Sequence, residues 1–135
     1  PEERFVFLGY EIGRCYSSQT GKAFWGTRPS PKSISRITGE VSALTRSNRA
    51  LLETDDVVRT INQKLVGWGN YFSLGAASKA YRIVDAHTRN RLRRWLCRKH
   101  KVSGKGTRMF PDQRLKDELG LVSLQDRPRI HAYAR

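Results

Sequence analysis

Tyr81-Arg82-Ile83-Val84-Asp85-Ala86-His87-Thr88-Arg89-Asn90-Arg91-Leu92-Arg93-Arg94-Trp95-Leu96-Cys97-Arg98-Lys99-His100-Lys101 is the stretch around which this chain organises itself. Tyr81, Val84, Thr88, Leu92, Trp95 and Leu96 recur at helical spacing and form one stripe of an α-helix. The pattern predicts a helix over 76–101, the longest in the chain. Nine Lys or Arg stand between 79 and 101 against one acid, Asp85. Arg82, Arg89 and Arg93 flank the stripe on one side; Arg91, Arg94, Arg98 and Lys101 flank it on the other. Neighbours three and four apart therefore repel one another. A helix that met only water would intersperse acids. Arginine predominates, and its planar fork suits phosphate oxygens two at a time and stacks on bases.

The charge of the whole chain sharpens this reading. Its 135 residues, enough for one domain or a small domain with an appendage, carry 26 Lys+Arg and 12 Asp+Glu, a net +14. The isoelectric point is near 10.6 and the mean hydropathy −0.63. Residues 1–70 contribute +3, 79–101 contribute +8 and 102–135 a further +3. More than half of the excess thus sits on one predicted helix. So large a charge repels itself in a compact state unless a polyanion answers it. Nucleic acid is the commonest such partner. An anionic membrane is the rival, but an apolar face holding Tyr81, Thr88 and Trp95 suits a protein core better than a bilayer interface. No stretch approaches the 18 apolar residues of a membrane span, and no signal peptide opens the chain. Cys15 and Cys97 form no CxxC pair and read as reduced thiols in a cytoplasmic protein. Composition alone does not choose between DNA and RNA.

Upstream, Thr54-Asp55-Asp56 opens another helix, with Thr54 as an oxygen cap and two acids suited to a helix N-terminus. Its stripe is Val57 or Val58, Ile61, Leu65, Trp68 and Phe72. Gly67-Trp68-Gly69-Asn70 is expected to end or distort it, because glycine is a poor helix residue. Before it, Ile34, Ile37, Val41 and Leu44 mark a first helix, weakened at Gly39 and capped by Ser30 or Ser33 after Arg28-Pro29-Ser30-Pro31. Earlier still, Arg4 to Ile12 reads as one strand broken at Gly13, and Ala23-Phe24-Trp25 as its hairpin partner. Two strands alone are marginal, and a chain that opens inside a strand without Met is expected to be a piece whose partner strands lie upstream. Downstream, Ser103-Gly104-Lys105-Gly106-Thr107 is a flexible break. Asp112 to Leu119 can form a short helix stopped by Gly120, with an irregular tail beyond Asp126. The fold class expected is mainly α: a short N-terminal β-hairpin, a three-helix bundle and a short C-terminal helix.

Catalytic signatures are missing from the sequence. Asp55-Asp56 invites a metal-dependent polymerase reading, yet such acids need a strand or hairpin setting, and here they precede an amphipathic helix and read as its cap. His87, His100 and His131 show no ligand spacing with either cysteine. No GxSxG, HExxH or GxxxxGK[ST] occurs. Gly104-Lys105-Gly106-Thr107 follows no strand and reads as a linker rather than a phosphate loop. No catalytic residue, metal site or cofactor is expected in this chain.

Several segments, taken together, resemble one family. Phe5-Val6-Phe7-Leu8-Gly9-Tyr10 is similar to the strand that closes the reverse-transcriptase palm in group II intron-encoded proteins. Pro29-Ser30-Pro31-Lys32-Ser33-Ile34 resembles the start of their maturase-specific thumb region, or domain X. Ile61-Asn62-Gln63-Lys64-Leu65-Val66-Gly67-Trp68-Gly69-Asn70-Tyr71-Phe72 is similar to the family's INxxLxGWxNYF, and Arg91-Leu92-Arg93-Arg94-Trp95-Leu96 to the RLRRWL that follows. Phe110-Pro111 and Leu119-Gly120-Leu121 look like the tail of shorter bacterial members. The resemblance implies the end of the palm over 1–28, the maturase-specific thumb over 29–102 and a basic extension over 103–135. It implies a partner, group II intron RNA, whose folding and splicing the protein assists in a ribonucleoprotein. In a longer reverse transcriptase with its own Mg²⁺ site, the region would also clamp the RNA–DNA template–primer during intron mobility. A generic duplex clamp without intron preference, or a structural domain docked on its own palm, are the competing readings. The metal-binding acids of the polymerase are absent here, so this chain alone is not expected to copy RNA.

The residues expected to touch RNA follow from the charge pattern. Arg82, Arg89, Arg91, Arg93, Arg94, Arg98, Lys99, His100 and Lys101 are candidates on the third helix. Lys32, Arg36, Arg46, Arg49 and Lys64 would extend the surface. Phosphate contacts position RNA without reading sequence, so an exposed aromatic is also needed for unpaired bases, and Tyr71 is the candidate. Trp68 and Trp95 fall on apolar stripes and are assigned to the core; Asn62 and Asn70 could bond RNA or brace a turn.

Overall fold

The N-terminal aromatic run does not continue as one strand. In the computed structural model, which describes residues 4–16, 23–73 and 77–126, with side chains of 4, 14–16 and 23–25 outside the description, it folds back on itself. β1 (Arg4–Phe7) turns through Leu8 and Gly9 into β2 (Tyr10–Tyr16), and β3 (Ala23–Pro29) pairs with the other side of β2. All pairings are antiparallel, with Phe7 opposite Tyr10 and Tyr10 opposite Pro29. The expected two-strand hairpin is therefore a three-stranded sheet. The reason is the turn: Leu8 and Gly9 both have positive φ, 53° and 87°, as a two-residue type I′ hairpin requires. A Cβ on Gly9 would meet Ser33 Oγ at 2.9 Å and Phe72 Cζ at 3.0 Å, so the turn is also pressed against the helices. Gly13, read as a strand breaker, lies inside β2.

Ser30 leaves the sheet and caps α1 (Pro31–Leu44), accepting the Ser33 amide at 3.1 Å with Pro31 in the first turn. A missing N–H costs nothing at that position. Ile37 and Val41 are buried, with Ile34 and Leu44 packed beside them. A single 3-10 turn, Ser47–Arg49, leads to α2 (Thr54–Tyr71). Its cap corrects the sequence reading: Thr54 is the first helical residue, Glu53 precedes it, and no side chain caps the end.

Gly67 and Gly69 do not stop α2, which runs on to Tyr71. Tertiary contacts outweigh the glycine propensity cost of ~1 kcal/mol each. Tyr81 donates its hydroxyl to the carbonyls of Gly69 (2.8 Å) and Phe72 (3.1 Å). Trp68 packs on Phe72 and Tyr81, with ring centroids 4.9 and 6.1 Å apart. Asn62 also has a definite role: Nδ2 donates to the Gly120 carbonyl and Oδ1 accepts the Val122 amide, both at 2.9 Å. It braces the C-terminal segment.

α3 (Ser78–Lys99) supplies the middle of the core, burying Tyr81, Val84, Thr88, Leu92, Trp95 and Leu96 as the stripe requires. After it, a loop and α4 (Asp112–Asp117) lay Phe110, Leu115, Leu121 and Leu124 onto the same core. α4 ends at Asp117 with Glu118 as its C-cap, two residues short of the expected Leu119; Gly120, at φ 75°, then turns the chain, and the Leu121 amide reaches back to the Leu115 carbonyl at 3.0 Å. The segment after α4 is held by the buried Asp85 carboxylate, which accepts the Leu124 and Gln125 amides at 3.0 Å and Ser123 Oγ at 3.2 Å. The expected irregular tail beyond Asp126 lies outside the described residues.

Removing that carboxylate leaves the buried Leu124 amide and the partly buried Gln125 amide without their acceptor. Asp85→Ala is expected to cost about 2–3 kcal/mol and to speed hydrogen exchange at Leu124 and Gln125. Urea unfolding with residue-resolved exchange checks this; a cost below about 0.5 kcal/mol would remove Asp85 as the anchor of the segment.

Candidate nucleic-acid interface

The basic residues sort by what they touch. Arg93, expected on the surface, is only 7% exposed. Its Nε donates to the Phe110 carbonyl at 2.8 Å, Nη1 to Asn90 Oδ1 at 3.1 Å, and Nη2 pairs with Asp112. It ties α3 to the Phe110–Asp112 corner and is withdrawn from the set of phosphate contacts. Arg89 reaches the same carboxylate at 3.3 Å. Lys99 donates to the carbonyls of Ala50 (3.1 Å) and Leu52 (2.7 Å) and lies 5.5 Å above the Trp95 ring. Lys64 is paired with Glu40 at 3.3 Å. These cations fasten loops and helices to one another.

A second group is exposed. Lys32, Arg36, Arg46, Arg49, Arg82, Arg94, Arg98 and Lys101 are open to solvent. Among the described residues, none of their side chains has an ion-pair partner. His100 is exposed with its ring 5.9 Å from Phe110. Lys105 and Arg108, exposed and likewise without an ion pair, join them although they sit in the loop after α3. Helical spacing does not point to them, because a loop has no periodicity.

Four arginines come together where the end of α1 meets α3. Arg91 lies half-buried, its Nε donating to Thr45 Oγ1 at 3.1 Å and Nη2 to the Ser42 carbonyl at 2.9 Å. Burial first, and then the charges of Arg94, Arg98 and Arg46, push its pKa below the ordinary arginine value. The guanidinium stays charged, so the shift reflects first its burial and then repulsion within the cluster, not loss of a proton. No carboxylate answers it among the described residues. Such a field is relieved by an incoming anion.

His87 stands at the edge of this cluster, its Nε2 within 2.9 Å of Ser42 Oγ and 3.1 Å of the Thr38 carbonyl. Burial, then the charges of Arg91 and Arg94, lower its pKa, while the bond to Thr38 acts the other way. The folded form therefore holds neutral His87 at a pH where the unfolded chain, titrating near 6.5, has bound a proton. Stability is complete above about pH 6.5 and declines as pH falls through the unfolded value toward the folded one. Chemical unfolding at pH 7.5 and 5.5 checks this. His87→Gln is expected to lose part of the decline; an unchanged pH dependence would show that His87 does not cause it.

Tyr71, the aromatic candidate, is 52% exposed. Its hydroxyl donates to the Leu8 carbonyl at 2.7 Å, and Tyr10 donates to the Tyr71 carbonyl. The ring is thus held in place, on the rim of a cleft of about 570 Å³ that Arg36, Lys64 and Trp68 also line. Trp95 is fully buried, the core role expected; Trp68 is partly buried against the core. Among the described residues, no group of three His, Cys, Asp or Glu could hold a metal ion, and no helix is long and apolar enough to cross a membrane. Cys97 is a free, buried thiol.

Fold and surface together define a mainly helical domain with an unneutralised arginine face. The family described as group II intron, maturase-specific domain matches residues 34–110, from the first turn of α1 through α3 to Phe110. That is more than half of the chain, and the protein belongs to this family. Comparison with curated proteins gives no match.

Proposed function

We propose that this chain binds folded group II intron RNA and helps it reach its splicing-competent structure, leaving the chemistry of splicing to the RNA. The observation that carries the reading is the cluster of Arg46, Arg91, Arg94 and Arg98, uncompensated by acid, in a member of the maturase-specific family. Arg91 is held by α1 carbonyl and hydroxyl groups and presents a fixed charge; Arg94 and Arg98 stand exposed one turn apart. That arrangement suits successive phosphates along a strand. Tyr71 adds a face on which an unpaired base can stack, which phosphate contacts alone cannot provide. In a longer reverse transcriptase the same face would clamp the template–primer duplex, and Mg²⁺ would serve the polymerase acids rather than any residue here.

A second reading, docking on the polymerase palm, has its own support. Phe5, Val6 and Phe7 of β1 and Leu8 of the turn that follows run consecutively, each more than half exposed, and such an edge favours a protein neighbour. The test compares the purified chain on a folded group II intron transcript and on an unrelated RNA duplex across a salt series. Binding that stays selective for the intron as salt rises supports the maturase reading. Equal, salt-labile binding leaves a generic clamp, and no binding to either leaves the docking role.

A further inference from the structure

The loop between α3 and Phe110 looks like a linker in the sequence, yet it builds a pocket. Gly104 and Gly106 take positive φ, 82° and 79°, and Lys101 takes 55°. Gly106 is pressed so closely onto α3 that a Cβ there would come within 2.1 Å of Cys97 Sγ. The loop is thus fixed against the helix, and between them lies a cavity of about 500 Å³ lined by Asn90, Arg94, Lys105 and Thr107 among others. No carboxylate lines it. The one other cation there, Arg93, is engaged with Asp112 and the Phe110 carbonyl. Among the described residues, none of the backbone amides from Ser103 to Thr107 donates a backbone hydrogen bond within the protein. Gly104 and Lys105, whose amides donate no backbone hydrogen bond, together with two cations without an ion pair and the Thr107 hydroxyl, line the cavity, a donor set that suits a phosphate oxygen.

We infer that this pocket seats a backbone phosphate of the bound RNA, gripped by Lys105 and the loop amides and shared with Arg94. The inference rests on the RNA-binding reading above and extends it to a defined subsite. Arg94 belongs both to the pocket lining and to the charges that depress Arg91, so the surface is continuous. A strand lying along Arg98 and Arg94 continues onto the loop. The occupant is a phosphodiester rather than a free anion, because the cavity is of the size that holds a whole ligand and opens beside the arginine face.

The experiment measures RNA affinity of the full chain against salt for the wild type, Lys105→Gln, Thr107→Val and, as a control of equal charge change, Lys116→Gln. Lys116, partly exposed on α4, pairs with Asp126 away from the pocket lining. The expected result is a salt slope lower by about one unit for Lys105→Gln, about fivefold weaker binding at 0.15 M salt, with Lys116→Gln unchanged. Amide resonances of Gly104 and Lys105 should shift when a short RNA duplex is added. If wild type binds RNA but Lys105→Gln keeps its slope, or loses no more than Lys116→Gln, the pocket is not a contact while the arginine face stands. If inorganic phosphate moves the same amides and RNA does not, the pocket is a small-anion site and the RNA assignment falls. If wild type binds no RNA at all, both readings fall together.

Discussion

Arg94→Gln combined with Arg98→Gln is expected to weaken RNA binding about thirtyfold at 0.15 M salt and to lower the salt slope by about two units. Each lost phosphate contact removes about 0.9 from the slope, and the loss should be the same for intron and unrelated RNA, since these contacts carry no sequence information. Stability should not fall. Neither side chain has an ion-pair partner among the described residues, and both depress their neighbour Arg91 by repulsion. Neutralising them relieves the free protein, so the unfolding midpoint should stay or rise slightly. A slope unchanged in the double variant would place the RNA on another face of the domain.

The neighbouring residue provides the contrast. Arg93→Gln should lower stability by about 2 kcal/mol through the Phe110 carbonyl and the packed aliphatic stem, and leave the salt slope of the folded protein alone. Two consecutive arginines thus differ completely in role. The sequence placed them on one side and the other of an apolar stripe, but that stripe is wider than its hydrophobic members. Arg93 lies one turn before Cys97 and three residues before Leu96, both buried. Residue type hid its burial. Asp112, nineteen residues on, supplies the reason, and no local pattern reveals a partner at that distance.

The same limit explains the other differences. The three helices were legible because their apolar residues keep the 3.6-residue period over many turns. Gly67 and Gly69 suggested a helix end because propensity is local, whereas Tyr81 holds that turn from the next helix. Asn62 and Asp85 are ordinary polar residues in sequence. Only the fold brings them to the amides of Val122, Leu124 and Gln125. Of the arginine face, the charge density was visible on one helix and Arg46 was among the residues expected to extend it, but its place beside Arg91 and the position of Lys105 on a glycine loop needed the packing of α1 and the loop on α3.

Trp95→Ala is expected to destabilise the domain by about 3–5 kcal/mol, a large part of what a small domain possesses. The side chain is fully buried near the C-terminal end of α3. Its Nε1 donates to the Arg49 carbonyl at 3.0 Å, and Lys99 lies over its ring. The indole therefore joins α3 to the 3-10 turn that follows α1, the turn adjoining Arg46. Truncation opens a cavity and frees that turn at once. Trp95→Phe keeps most of the volume and loses the N–H donor, so it should cost about half as much. The pair separates two contributions of the residue. If the turn matters to RNA binding, Trp95→Phe, measured where it is fully folded, should still weaken binding, because Arg46 is no longer held against α3. If Trp95→Phe binds like wild type, the indole serves packing alone and Arg46 is positioned by its own backbone.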